Sequence, residues 1–170
     1  MALTIPAGVD AEGALTVIWT PTPTLSIAEL EGPTAVDLTC YMTKGTWGEA
    51  AEIERGTDER ECSKQVYETL GKTTWTLNAL DYVYDPQAAP ADPDNKAYET
   101  LAPRTPGYFT VRLGVDIEDP LTVGEKVDQF PATVGEQVRK QREGNAGEKL
   151  KITQEVVITG EVLRDQALIA

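Results

Sequence analysis

Residues 149–163, KLKITQEVVITGEVL, decide the fold. Read in steps of two, Leu150, Ile152, Val156, Ile158 and Val162 point one way, while Lys151, Thr153, Glu155, Thr159 and Glu161 point the other. Successive side chains of a strand leave opposite faces of a sheet, so this alternation predicts a half-buried β-strand. Its centre is β-branched, which suits a pleated surface. It is longer than the usual five or six residues or so. Gln154 and Gly160 interrupt the apolar row, which predicts a bend or a thinning there. A strand of this kind needs a sheet around it and a second layer over its apolar face.

The remainder of the chain supplies strands to pair with it. Residues 14–19 place Leu15, Val17 and Trp19 on one face. Residues 35–43 alternate Val36, Leu38, Cys40 and Met42 against Asp37, Thr39, Tyr41 and Thr43. Further strands are expected at 61–70 and 73–85, the second with its apolar phase slipping near Ala79. Residues 108–116 send Phe109, Val111, Leu113 and Val115 inward, and 121–134 form a strand broken at Pro131. One helix is expected. Asp92 caps it, Pro93 takes its first position, Ala97, Tyr98, Leu101 and Ala102 form its stripe, and Pro103 and Pro106 end it. At about two turns it must lie on the sheet to persist. The class is therefore mainly β, with two packed antiparallel sheets in a sandwich or bent barrel and one short flanking α-helix. Residues 1–33 read as a proline-punctuated N-terminal arm carrying one short strand, and 34–170 as a single β-sandwich domain. Within it, 44–61 reads as a long inter-strand loop of six acids, three bases and three glycines. A connection of that length is functional or mobile. A second loop, 135–148, is basic and contains Arg139, Lys140 and Arg142.

The charge narrows the function. The chain has 28 acids, 15 bases and a net charge of −13. Nucleic-acid binders neutralise phosphates with bases, so this balance argues against one, and equally against docking on anionic lipid. No run reaches the roughly 20 apolar residues of a membrane span. The first residues lack the basic and apolar regions of a secretory signal. Histidine is absent, so Ser26 and Ser63 have no ordinary general base, and an acyl-transfer enzyme is not expected. Asp92, Asp94 and Lys96 fail the calcium-loop spacing at the lysine. These aspartates, with Asp81 and Asp85, read as turn and cap residues. Trp19 and Trp75 fall in phase with the core. Trp47, in the charged loop, reads as an exposed anchor for a partner. Cys40 and Cys62 lack metal or redox spacing and read as small core residues on adjoining strands. No catalytic, cofactor or metal constellation is expected. A monomeric β-sandwich module that binds a sugar or a protein through Trp47 is one reading of what remains.

A second reading comes from a resemblance. The run DLTCYMTKGTW, the charged loop after it, ECSKQVYETLGKTTWTLNALDYVYDPQ, NKAYETLAPRTPGYFTVRLGVD and the closing ITQEVVITGEV resemble, in pattern and order, the major tail protein of long-tailed bacteriophages, over roughly residues 30–164. The resemblance implies a tail-tube fold and a structural virion protein of the phage tail, assembled in the bacterial host cytoplasm. It implies homo-hexameric rings stacked into a hollow tube through which DNA passes unbound. It implies tape-measure, tail terminator and tail-tip proteins as partners, no cofactor and no membrane anchor. On this reading Trp47, Glu49, Glu52, Ile53, Glu54, Asp58 and Glu59 belong to an inter-ring contact loop, facing Arg139, Lys140 and Arg142 of the neighbour. Asp37, Thr39, Tyr41, Thr110, Arg112 and Asp116 are the candidate lumen face.

Overall fold

The computed structural model describes residues 11–142, 144 and 146–170, so the start of the N-terminal arm lies outside the described residues. The chain forms strands β1 (Leu15–Thr20), β2 (Val36–Asp37), β3 (Glu49–Asp58), β4 (Tyr67–Leu77), β5 (Leu80–Val83), β6 (Pro106–Leu113), β7 (Lys126–Arg139), β8 (Lys151–Ile158) and β9 (Leu163–Ala167). Two short helices join them: α1 (Ile27–Leu30), and α2 (Lys96–Thr100) behind a 3-10 turn at Pro93–Asn95. Seven strands make one antiparallel sheet in the order β2-β1-β6-β7-β8-β5, with β9 also on β7, and β3 and β4 make a second, two-stranded sheet. The mainly β class with a short flanking helix is as the alternation predicts.

The sheet is built on β7. One edge pairs with β6, and β8 and β9 lie end to end along the other, from Arg139 opposite Ile152 to Lys126 opposite Ala167. The stretch at 149–163 is thus one companion of β7 that bends near Gly160. A Cβ at Gly160 would stand 3.0 Å from Pro131 Cγ, so a larger residue would have to press the proline ring aside by a few tenths of an ångström. The expected break at Pro131 does not occur. Its carbonyl accepts from the Thr159 N–H at 2.9 Å, so its ring nitrogen faces the same edge, where β8 gives way to β9 and no ladder donor is required.

Three other expectations change. Residues 35–43 form only the two-residue β2. The Asp37 carboxylate then accepts from the Thr39 N–H at 2.8 Å, and this local side-chain bond turns the chain out of the ladder. The strand expected at 61–70 begins only at Tyr67. Residues 73–85 divide at Asn78 and Ala79 into the end of β4 and all of β5, so the phase slip marks a change of sheet.

Both faces of the large sheet are covered. Val17, Trp19, Phe109, Val111, Phe130, Val134, Ile152 and Val156 pack one core with Tyr82, Ala97 and Leu101. Ile18, Leu30, Ala35, Val127 and Leu168 pack a smaller one on the opposite face. β1, read from sequence as part of an arm, therefore lies between β2 and β6 and is buried on both sides. The helix cap is as read: Asp92 Oδ1 accepts from the Asp94 N–H at 3.0 Å, with Pro93 following. The helix end is met by the sheet. The Leu101 carbonyl accepts from Gln154 Nε2 at 2.9 Å, and Gln137 Nε2 donates to the Tyr98 carbonyl at 2.7 Å. Gln154, fully buried in the apolar row of β8, also donates to the Gly135 carbonyl and accepts from the Tyr82 hydroxyl at 2.9 Å. A buried amide is tolerated because its groups are paired.

Candidate assembly surface

Residues 44–61, expected as a loop, contain β3. With β4 it forms a ribbon of ten and eleven residues, paired from Glu49 opposite Leu77 to Asp58 opposite Tyr67. Between Ile53, opposite Thr73, and Arg55, opposite Leu70, β4 carries one more residue than β3, which is a bulge. Directly opposed residues share a face. One face therefore carries Leu77, Ala51, Trp75, Ile53 and Leu70, interleaved with Glu49, Thr73, Arg55, Thr57 and Glu68. Leu77 is 9% exposed, Ile53 46% and Leu70 76%, so its apolar members begin in the core and run out into solvent. The opposite face carries Ala50, Glu52, Thr74, Thr76 and Asp58. Val66 and Tyr67 near the turn are half exposed. A lone two-stranded ribbon buries too little to hold itself up in water. This one is built outward from the body and leaves Ile53 and Leu70 uncovered.

The ribbon is anchored at its base. The Asn78 N–H donates to the Gly48 carbonyl at 2.8 Å, and a Cβ on Gly48 would collide with the Asn78 amide. Trp47 is half-buried. Its ring lies 5.5 Å from Phe109 and 5.7 Å from Phe130, edge to face, so one side packs on the core beneath the ribbon while the other lines an open groove with Leu15 and Met42. Arg164, on β9, reaches the same place. It pairs with Glu49 of β3 and, at 3.1 Å, with Asp128 of β7. Its guanidinium carbon stands 5.1 Å from the centre of the Trp75 ring and 5.9 Å from that of Phe130. The bond to Glu49 outweighs partial burial and raises its pKa further.

The residues singled out from sequence separate. Glu52, Ile53, Glu54 and Asp58 lie on β3, Glu59 lies in the turn, and Glu49 is held by Arg164. Arg139 ends β7, Lys140 pairs with Asp81, and exposed Arg142 follows. Within the chain the bases that meet ribbon acids are Arg55 on Glu68, Arg60 on Asp58 and Arg164 on Glu49. The candidate lumen row is divided. Asp37 and Asp116 are exposed, and Thr39 accepts from the Val17 N–H. The Tyr41 hydroxyl donates to the Pro93 carbonyl. Thr110 and Arg112 are buried inside the subunit, which sets them apart from an exposed row. Arg112 donates to the carbonyls of Pro120, Asp116 and Asp119 and pairs with Glu125, wrapping the loop after β6 around itself. Cys40 and Cys62 are free and exposed, one after β2 and one in the ribbon turn, and not core residues on adjoining strands. Residue parity could not locate Arg164 or the Gln137–Gln154 pair. The one available signal was a glutamine standing in phase with an apolar row.

Asp81, Glu125 and Tyr82 are among the ionisable groups that the fold shifts. Burial works to raise Asp81, but hydrogen bonds from Lys140 and Thr153 overcome it and hold the carboxyl below its ordinary 3.8. Burial likewise opposes, and bonds from Thr122 and Arg112 outweigh, at Glu125, held below 4.5. Burial pushes the Tyr82 phenol well above its ordinary 10.0.

The chain is thus an acidic, mainly β subunit whose ribbon projects from a packed sheet and leaves Ile53 and Leu70 uncovered. The phage tail tube protein family matches residues 2–170, nearly the whole chain, and the protein belongs to that family. It is thus a structural component of a phage tail. A search of curated proteins returns no match.

Proposed function

We propose that six copies of this protein close into a ring and that rings stack into the hollow tube through which the phage genome leaves. The observation that carries this is the ribbon. It is a preformed arm that leaves Ile53 and Leu70 uncovered among charged and polar neighbours, on a chain of the phage tail tube protein family. A head-to-tail contact between unlike surfaces does not close on itself and yields a filament, which is what stacking requires. The acids of β3 and the exposed bases Arg139 and Arg142 suit contacts between rings. The net charge of −13 suits a conduit that repels phosphate, with Asp37 and Asp116 as exposed contributors. Tape-measure, terminator and tip proteins are the partners this role requires, and assembly belongs to the bacterial cytoplasm. The family match favours the tube over the binding-module reading, and Trp47 is in part packed on Phe109.

Negative-stain electron microscopy of the purified subunit tests the proposal. Rings or tubes of uniform width are expected. A protein that stays monomeric at all concentrations overturns it.

A further inference from the structure

We propose that Arg164 is a clasp that sets the direction in which the β3–β4 ribbon leaves the body, and that tube assembly depends on this setting. The inference rests on the reading of the ribbon as the assembly arm. It goes beyond it by naming what aims the arm.

The ribbon pairs only with itself: β3 and β4 form a sheet separate from the large one. Its ladder bonds therefore hold the two strands together and do nothing to fix their angle to the body. That angle comes from contacts at the base: the Asn78–Gly48 bond, Leu77 in the core, the run of β4 beside β8, and Arg164. Arg164 is the side chain that joins both ribbon strands to β7. Its guanidinium pairs with Glu49 on β3 and Asp128 on β7, and lies over Trp75 on β4 and Phe130 on β7. Both carboxylates meet the same nitrogen, Nη1, and the planar guanidinium set over the two rings keeps an orientation that a point charge does not. The cation over the indole adds attraction in the same geometry.

The backbone under Arg164 is itself held. Asp165 adopts a φ of +53°, a conformation uncommon for a residue with a side chain. Its N–H donates to Asp128 Oδ1 at 2.8 Å, while Arg164 takes Asp128 Oδ2. The Gln166 amide donates to the Arg164 carbonyl at 2.7 Å. One carboxylate thus fixes both the turned backbone and the guanidinium. Such over-determination of an unfavourable conformation points to a site that must be placed accurately.

The test compares wild type with Arg164→Ala, Arg164→Lys and Glu49→Gln, by hydrogen exchange of the subunit and by electron microscopy of tubes. In Arg164→Ala, amides at 49–53 and 73–77 are expected to exchange at least about tenfold faster, as a local opening would give, while β6 and β7 stay protected. Its tubes are expected to be fewer and shorter. Arg164→Lys falls between, keeping charge but not the planar guanidinium. Glu49→Gln loosens the ribbon too, and adds little to Arg164→Ala, because the two residues act as one unit. It removes a single partner, so it answers the question if Arg164→Ala fails to fold. Unchanged ribbon exchange overturns the clasp. So does faster exchange spread through β6, which marks a general stabiliser. So do normal tubes from a variant whose ribbon is loosened. Normal tubes from a chain lacking the outer ribbon overturn the arm reading instead, so the two failures are distinguishable.

Discussion

Single side chains tie distant parts of this fold together, and Gln154 does so at the greatest depth. It serves the Leu101 and Gly135 carbonyls and the Tyr82 hydroxyl at once. Gln154→Leu keeps the volume but takes the donor from the Gly135 carbonyl and the acceptor from the Tyr82 hydroxyl, while Gln137 still donates to the Leu101 carbonyl and the Tyr82 oxygen. We expect a loss of about 1–3 kcal/mol, the cost of leaving such buried groups unpaired. Urea unfolding with an unchanged slope checks it. Trp47→Ala should likewise lower stability, by about 2–3 kcal/mol. This is below the full cost of a deeply buried aromatic because the ring is only partly enclosed. A variant with native stability but impaired tubes would show that Trp47 serves an interface after all. The cysteines behave oppositely. Both are exposed, so Cys62→Ala should change stability by less than about 0.5 kcal/mol, and both thiols should react fully in the folded protein. A thiol that reacts only after denaturation would contradict this.

At the scale of elements, the ribbon is separable and the large sheet is not. Leu77 and Trp75 belong to the body; Ile53 to Leu70 project from it. Replacing residues 54–72 with a short Gly-Ser turn leaves the lower pairs, from Glu49–Leu77 to Ile53–Thr73, in place. The circular dichroism spectrum should then keep its β character and the melting temperature should change little, while electron microscopy shows no long tubes. The same reasoning puts residues 149–163 at the other extreme. They pair with β7 from Gln129 to Arg139, so removing the strand exposes ladder groups along most of one edge to solvent.

At the scale of the molecule, charge sets two expectations. The subunit should not retard duplex DNA at physiological salt, because its net charge of −13 opposes phosphate. Salt-sensitive retardation at micromolar protein would refute this. The pH dependence follows from the shifted groups. Asp81 and Glu125 are held below their ordinary values, so they stabilise the fold above about pH 4.5, and that stability is lost as pH falls through their lower folded values. Tyr82 is held above 10.0. The unfolded chain therefore loses that proton first, and stability declines as pH rises beyond 10.0. Melting temperature against pH should show a plateau with both shoulders. In Tyr82→Phe the alkaline shoulder should weaken.

Alternation and local signals were enough to determine that this chain is mainly β, which face of β8 is buried, where the helix begins and where the last strand bends; β1 and β6 are buried on both faces, and Leu113, expected inward, is exposed. These properties depend on a residue and its near neighbours: side-chain parity, a cap, a proline, a glycine. The charge was legible for the same reason, being a sum over residues. What only the tertiary structure decided depends on what lies across a sheet. Pro131 passes through β7 because two strands meet end to end beside it. Residues 44–61 become a strand because 67–77 lie opposite. One side of Trp47 is enclosed because Phe109 and Phe130 come from strands more than sixty residues away. Arg164 acts at the ribbon base because β9 returns to β7 beneath it. No period in the sequence encodes a partner that distant, so these contacts appear only once the sheet has closed on its order.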